Sequence, residues 1–380
     1  MHDDQLNFAV PGTSFVGREA AIERMRAGGG LVTLVGPPGV GKTRLAMEYV
    51  ARAVRDGAAS RGRLVDLVLA RSPRDLCHAV ARALGIVLAE PIEERVRTVL
   101  AQSKSLIVAL DNFEQLVDEC APLIAEWRGA AGDFSIIVTS RRPLGLRDER
   151  VIELAPLALP SVGSLELDAD AAALFVERAR AVRPGYAPLA DEAPQIVELV
   201  VRLDGLPLAI ELAAARMAVM GPAQLLGRIG RVASLVDAVE CSWDLLSAPE
   251  QSALAQLSVF HGGFAAEAAE AVLDVPGDAL DHLASLRRHS LLTASDVLEL
   301  PGELRFGMLE PIRDFAAARL EKENDVRDRH AAYFLRAGAS WAETVEKSPR
   351  ELARLAIELP NVLEVHRHAL TTGRPAWAIQ

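Results

Sequence analysis

The chain has 380 residues, half of them hydrophobic, and a formal net charge of −11. That length predicts two to four domains with sizeable cores, and the acidic balance argues against a general nucleic-acid or anionic-membrane binder. Aromatics make up only 4% while Ala, Leu, Val and Arg dominate, which favours helices. Cys77, Cys120 and Cys241 are far apart and odd in number, which predicts a reducing compartment and neither a disulfide framework nor a metal site. The start, MHDDQLNF, is acidic where a signal peptide would be basic and then apolar. No apolar run approaches the ~20 residues that span a bilayer. The expectation is a cytoplasmic protein with no membrane partner.

In chain order, Phe15-Val16-Gly17-Arg18-Glu19 comes first, with Ser14 placed as a helix N-cap, followed by a short helix and a flexible Gly28-Gly29-Gly30. Leu31–Val35 is an apolar, β-branched run that reads as a buried strand. Gly36-Pro37-Pro38-Gly39-Val40-Gly41-Lys42-Thr43 then fits GxxxxGK[ST] without a mismatch, and Leu45, Ala46 and Tyr49 continue at helical spacing. Strand, glycine loop and helix together form the context of a phosphate-binding loop. The glycines let backbone N–H groups crowd a phosphate where a Cβ would clash. The helix N-terminus supplies further N–H groups and partial positive charge. Lys42 would reach the β- and γ-phosphates and the Thr43 hydroxyl would bind Mg²⁺; the run Gly36 to Arg44 is the candidate nucleotide cradle. The chain holds only four lysines against 37 arginines, and one stands here.

Arg63–Ala70 reads as a second strand, Ser72-Pro73 opens a helix, and Pro91–Leu100 is another. Leu106–Leu110 is fully apolar and ends in Asp111-Asn112. An acid at the C-terminal end of a buried strand after a P-loop is where an NTPase places its Mg²⁺-binding Asp; capping of the next helix, placed near Phe113, is the other reading. Phe134–Thr139 gives a further strand, ending in Ser140-Arg141-Arg142-Pro143. On spacing alone Arg141 is either a γ-phosphate sensor or a solvated arginine. Strands alternating with helices imply a parallel α/β sheet with helices on both faces.

The alternation stops in a loop at 156–164. Ala169–Val182, Ala193–Leu203 and Leu208–Val219 read as helices, with Gly205 and Pro207 as C-cap and first-turn signals between the last two. From Val239 short helices follow, with a hairpin predicted from Val297–Leu300 and Leu304–Met308 around Pro301-Gly302-Glu303. Helices with a terminal hairpin suggest a winged helix, yet residues 240–304 hold eleven Asp or Glu and only Arg287 and Arg288 as bases, which would repel a phosphate backbone. From Val326 the chain is helical, with Leu352, Leu355, Ala356 and Leu359 at three- and four-residue spacing, as in the start of a helical repeat. Trp377-Ala378-Ile379-Gln380 offers no polar cap, so further repeats are expected downstream.

FVGRE, GPPGVGKT, LIVALDN, TSR and GLPLA, in that order, resemble a STAND-class signalling NTPase related to NB-ARC proteins, and more narrowly bacterial regulators that carry an ATPase module, a winged helix and tetratricopeptide-like repeats. LDNFEQL, GLPLAIELAAAR and MLEPIRDFAAARL strengthen the likeness, which covers about residue 12 to the repeat start. It implies four domains: 1–155 the nucleotide-binding domain, 156–230 a helical lid, 231–325 a winged-helix-like domain and 326–380 the start of the repeats. Val16, Gly17 and Arg18 would edge the pocket, with Val16 near the adenine; Arg141 would be the sensor and Pro207 would pack on the adenine from the lid. ADP would lock the module closed; ATP would open it and let it self-associate, with the repeats sensing a protein or small-molecule inducer. Two positions depart from the pattern. Leu309 stands where a Met-His-Asp motif puts the histidine that meets ADP, with Arg305 as a substitute, and Asn112 stands where a catalytic Glu would follow the Walker B Asp. Slow ATP hydrolysis, at most, is the consequence expected. The competing readings are a transcriptional regulator that itself contacts DNA, an energy-using machine, and a nucleotide-bound scaffold without hydrolysis.

Overall fold

The computed structural model describes residues 5–374 apart from 28, 88–89, 131, 161–166, 229–234, 298 and 345–347, together with residue 377. The chain divides into two compact units, Met1–Pro156 and Leu157–Gln380.

The first unit is a parallel sheet covered on both faces. Its elements are α1 (Glu19–Arg26), β1 (Leu31–Val35), α2 (Lys42–Arg55), β2 (Arg61–Asp66), α3 (Pro73–Ala83), α4 (Ile92–Gln102), β3 (Leu106–Asp111), α5 (Val117–Arg128), β4 (Phe134–Ser140) and β5 (Arg150–Glu153). The strand order is β2-β3-β4-β1-β5, every pair parallel. All six residues of β3 are buried, as an unbroken apolar run in a sheet with two covered faces requires. Alternation then sorts the side chains. Leu106, Val108, Leu110, Ile136 and Val138 join the core with Leu76 and Val80 of α3, Val96 of α4 and Ile124 and Trp127 of α5. The residues between them, Ala109, Asp111, Ile137 and Thr139, therefore face the side of α2.

Several boundaries differ from the sequence expectation. The first helix is capped by Arg18, whose carbonyl accepts the Ile22 N–H, and not by Ser14; Gly17 at φ +72° turns the chain into it. The second strand ends at Asp66, because the Ala70 N–H closes a turn on the Leu67 carbonyl. No helix starts near Phe113: Asn112 is left-handed (φ +59°) and the Phe113 N–H reaches across to the Thr139 carbonyl, so α5 waits until Val117. Ser72 does cap α3, its hydroxyl accepting the Asp75 N–H with Pro73 in the first turn. The short edge strand β5, two of whose four residues are charged, was not expected at all.

The second unit is helical: α6 (Asp170–Val182), α7 (Ala193–Arg202), α8 (Pro207–Ala215), α9 (Pro222–Arg228), α10 (Leu235–Trp243), α11 (Ala248–Leu257), α12 (Ala266–Val272), α13 (Ala279–Arg288), then β6 (Thr293–Asp296) and β7 (Leu304–Gly307), then α14 (Glu310–Ala317), α15 (Glu323–Thr344) and α16 (Pro349–Thr371). The chain leaves α7 through amide bonds from Asp204 to the Val201 carbonyl and from Gly205 to the Val200 carbonyl, the pairing of a Schellman turn. A Cβ on Gly205 would lie 2.5 Å from the Leu157 carbonyl oxygen, so glycine is needed there for approach as well as for its φ of +63°. The helix expected to run to Val219 ends at Ala215 and tightens into a 3-10 turn, Arg216–Ala218. The hairpin exists, but its first strand is Thr293–Asp296 and not Val297–Leu300. Hydrogen bonds from the Leu300 N–H to the Val297 carbonyl and from the Glu303 N–H to the Leu300 carbonyl place Val297 and Leu300 in the connection between the strands, with Leu300 buried.

The apolar residues at helical spacing in the last helix do not form its buried face. Leu352 is 59% exposed, whereas Glu358, Asn361, Glu364, Val365, His368 and Ala369 are buried. Of the remaining sequence features, Gly28, residues 161–164 of the boundary loop and Ala378-Ile379-Gln380 lie outside the described residues.

Candidate functional site

The phosphate-loop sequence forms the connection between β1 and α2 at the C-terminal edge of the sheet, where ligands of open parallel sheets sit. Gly39 (φ +77°) and Gly41 (φ +95°) are left-handed, and Gly41 caps α2 without a side chain, leaving the first N–H groups of a 14-residue helix open to an anion. A Cβ on Gly36 would stand 2.7 Å from the Leu154 carbonyl oxygen, so this glycine is demanded by the chain leaving β5. Pro37 and Pro38 are exposed, and the Val40 side chain is fully buried and anchors the loop from below. Lys42 folds over the loop, its Nζ donating to the carbonyls of Gly36 (2.8 Å) and Pro37 (3.0 Å).

Alternation brings three polar groups together beside the loop. The Thr43 hydroxyl donates to Asp111, with its Oγ1 2.8 Å from Oδ1 and 3.0 Å from Oδ2. Thr139, the next strand's residue on the same face, also donates to Asp111 Oδ1 and accepts the Asn112 N–H at 3.1 Å. Burial pushes the Asp111 carboxyl up to about 6, with the Asp66 charge adding to the effect and the Thr139 and Thr43 hydroxyls opposing it. Such a carboxylate favours a cation. Thr43 and Asp111 present hard oxygens that suit Mg²⁺, and among the described residues no three His, Cys, Asp or Glu gather into a protein-only metal cage. Phosphate oxygens and water would complete the shell, as is usual for Mg²⁺. Bound there, the ion would neutralise charge on the phosphates.

Arg141 follows β4 and points to the turn after β3: its Nε lies 3.3 Å from Glu114 Oε1. Asn112 is turned away from a base's role, its Nδ2 donating to Asp66 at 3.2 Å. The FVGRE segment is strapped to the same loop. Arg18 donates to the Val40 carbonyl (3.0 Å) and to the Ala155 carbonyl (2.8 Å), bracing the loop against the chain beyond β5. Arg44 donates to the Thr13 carbonyl at 2.6 Å, and the guanidinium groups of Arg44 and Arg52 both lie over the Phe15 ring. Val16 is half-buried beside Gly17 in this strap.

Lys42, Thr43 and Asp111 are thus brought to one place together with Gly36 to Gly41, and Arg141 and Arg18 stand at its borders. Pro207 belongs to the second unit, at the first position of α8. Arg305 is engaged within that unit: its guanidinium pairs with Glu358 at 2.6 Å and donates to the carbonyls of Gly262 and Gly263. Leu309 is partly exposed and caps α14. Sequence reasoning missed Thr139 as a partner of Asp111, although period two in FSIIVT places it on the Asp111 face. Cys77 and Cys120 are buried free thiols, pushed by burial up to about 12 and about 11 and so kept protonated. No helix of the described residues is long and apolar enough to cross a membrane.

Comparison with known proteins agrees with this geometry. A family model described as an AAA domain matches residues 25–141. The chain is 33% identical over 376 residues to the "Putative HTH-type transcriptional regulator Rv0890c" of Mycobacterium tuberculosis, covering 92% of this chain but 41% of that protein. It is 35% identical over 280 residues to the "Uncharacterized protein Rv0894" of the same organism, covering 68% of this chain and 69% of that one. Among solved structures it is similar to a STAND protein with a tetratricopeptide repeat sensor from Pyrococcus horikoshii, at TM-score 0.55 and 17% identity, covering 99% of this chain and 58% of that one. At that identity the likeness is one of fold. The chain therefore belongs to the family of the mycobacterial protein Rv0894, and its first unit is a nucleotide-binding AAA-type P-loop NTPase domain.

Proposed function

We propose that this chain is a nucleotide-dependent signalling switch, closed with ADP and opened to self-associate with ATP and Mg²⁺, with hydrolysis slow enough to act as a timer. The observation that carries the reading is the Thr43 hydroxyl set against Asp111 at the mouth of an intact phosphate loop, joined in one chain to a helical second unit. Lys42 and the loop amides would hold the phosphates, Thr43 and Asp111 would hold Mg²⁺, and Arg141 would report the γ-phosphate. Slow turnover fits Asn112, an amide committed to Asp66 at the position where a base would stand.

The finer division belongs to the same proposal. Residues 156–230 would be a lid carrying Pro207 toward the base, 231–325 a winged-helix-like domain around α11, α13 and the β6–β7 hairpin, and 326–380 the start of tetratricopeptide-like repeats that receive a protein or small-molecule inducer. Arg305 is spent on Glu358, so it is a poor candidate for the ADP contact that Leu309 lacks. The chain spans 41% of the length of the regulators it matches first, so what those whole proteins do is carried over here only as a proposal.

Acid extraction of the purified chain followed by chromatography tests the reading. Near-stoichiometric ADP or ATP is expected, with none from Lys42→Ala. A folded chain that arrives empty and binds neither nucleotide in calorimetry overturns it. The relatives' name favours a second reading, direct DNA contact. Against it stands the acidic composition of 240–304, and a sequence-specific electrophoretic shift by this chain at physiological salt would revive it.

A further inference from the structure

Four polar side chains stand at the ends of β2 and β3 and in the turn that follows, and three of them have hydrogen-bond partners. Asp111 accepts from Thr43 and Thr139. Asp66 accepts from the Asn112 amide and from the Val68 N–H. Asn112 spends its amide on Asp66. Glu114 differs: Oε1 faces Arg141 at 3.3 Å, while Oε2 is buried without a hydrogen-bond partner among the described residues. A buried carboxylate oxygen left unpaired is costly, and such an atom calls for a water or a substrate group to complete it. The backbone fixes its place, since left-handed Asn112 and the Phe113–Thr139 amide bond anchor the turn to β4, the strand that also delivers Arg141.

We propose that Glu114 is the carboxylate that takes the proton of the attacking water in nucleoside triphosphate hydrolysis, and that Arg141 holds it until a γ-phosphate draws the guanidinium away. This rests on the nucleotide reading above. In the step, the water oxygen bonds to the γ-phosphorus as the bond from that phosphorus to the β–γ bridging oxygen breaks. The bridging oxygen keeps the electron pair and leaves on the nucleoside diphosphate. The water proton passes to Glu114, and inorganic phosphate is the second product. Arg141 meets Glu114 through Nε alone, and the γ-phosphate offers more charge and bidentate geometry than that single contact. A diphosphate provides no such competitor, so the Arg141–Glu114 pair stays closed and the base stays occupied.

The test is single-turnover hydrolysis by the full chain, run beside binding of fluorescent ATP and ADP. Glu114→Gln should slow hydrolysis on the order of 100-fold or more, the usual scale of a general base, with ADP binding retained and ATP binding unchanged or tighter. Loss of the chemical step with ATP binding kept is an effect that a merely structural residue would not produce. Glu114→Asp should recover part of the rate, and Arg141→Ala should weaken ATP binding while leaving ADP binding unchanged. Hydrolysis at the wild-type rate by Glu114→Gln overturns the assignment and leaves the nucleotide reading standing. Failure of the unchanged chain to bind either nucleotide overturns both.

Discussion

In the first unit a cluster of buried polar side chains gathers at one end of a sheet; in the second another cluster runs along the length of a helix. Asp111, Thr139 and Ser140 lie at the C-terminal ends of β3 and β4, above strands that are apolar on both faces. On α16, by contrast, Glu358 pairs with Arg305, and Asn361 joins Glu358, the His261 amide and the Gly263 carbonyl. Glu364 pairs with Arg327 and Arg367, and His368 with Asp328. In a parallel sheet covered on both faces, polar side chains are most easily satisfied at strand ends, where the backbone ladder stops, and there Asp111, Thr139 and Ser140 converge on one site. A helix seam can carry them throughout, provided each finds a partner. Such a seam specifies which groups meet more than it adds strength, because the desolvation of paired charges offsets most of their attraction.

Removing one partner of the α16 seam should have the largest effect. Glu358→Ala leaves the Arg305 guanidinium without its carboxylate in a largely buried site and should cost about 3–5 kcal/mol in urea denaturation. Arg305→Met with Glu358→Leu should recover most of that loss. A single variant as stable as the unchanged chain would mean that the seam is not a network.

Acid should open the second unit before the first. His261 and His330 are both held near 3 by burial, with neighbouring arginines adding to the effect. The titratable and charged groups around them are Arg313, Arg327, Arg367, His368 and Glu364. Their folded pKa values lie below the unfolded value, so the unfolded chain binds more protons between about 6.5 and 3. Stability is therefore full above about pH 6.5 and falls with acid, approaching about 1.4 kcal/mol per pH unit for each histidine. Hydrogen exchange at pH 5 against pH 7, read by mass spectrometry, should show α15 and α16 losing protection ahead of β3 and β4. The reverse order would refute the histidine mechanism.

At the sheet end the effect should be smaller and confined to binding. Thr139→Val keeps the shape but removes a donor to Asp111 and the acceptor of the Asn112 N–H. Titration calorimetry should then show about tenfold weaker Mg²⁺-nucleotide binding, equal to about 1.4 kcal/mol. Equal weakening without Mg²⁺ would assign Thr139 to the loop instead. Smallest of all should be Trp127→Phe. The Trp127 Nε1 is buried without a hydrogen-bond partner among the described residues, so the lost volume is offset by removal of an unsatisfied donor. A change within about 1 kcal/mol is expected; a loss above about 3 would show that the void left in the core outweighs removal of the unsatisfied donor.

Sequence pattern reached a good part of this. Leu31–Val35 and Leu106–Leu110 read as buried strands because β-branched, uninterrupted apolar runs have few other homes, and the glycine loop between strand and helix is a local motif. β5 escaped notice because an edge strand of four residues, charged at both ends, carries no period to read. The buried face of α16 escapes pattern reading for a related reason. Leu352, Leu355, Ala356 and Leu359 have helical spacing, but pattern reading credits apolar residues with burial and cannot foresee a seam whose charges are paired by Arg305, Arg327 and Asp328.

By itself the sequence determined the chemistry of the loop from Gly36 to Thr43 and the identity of Asp111 as its acidic companion, since both depend on residue type at short spacing. Only the tertiary structure set Thr139 beside that acid, Arg141 against Glu114, and Arg18 across the loop to Ala155. These pairs join residues 27 to 137 positions apart, a separation over which no local propensity acts and only the register of the sheet can bring side chains together.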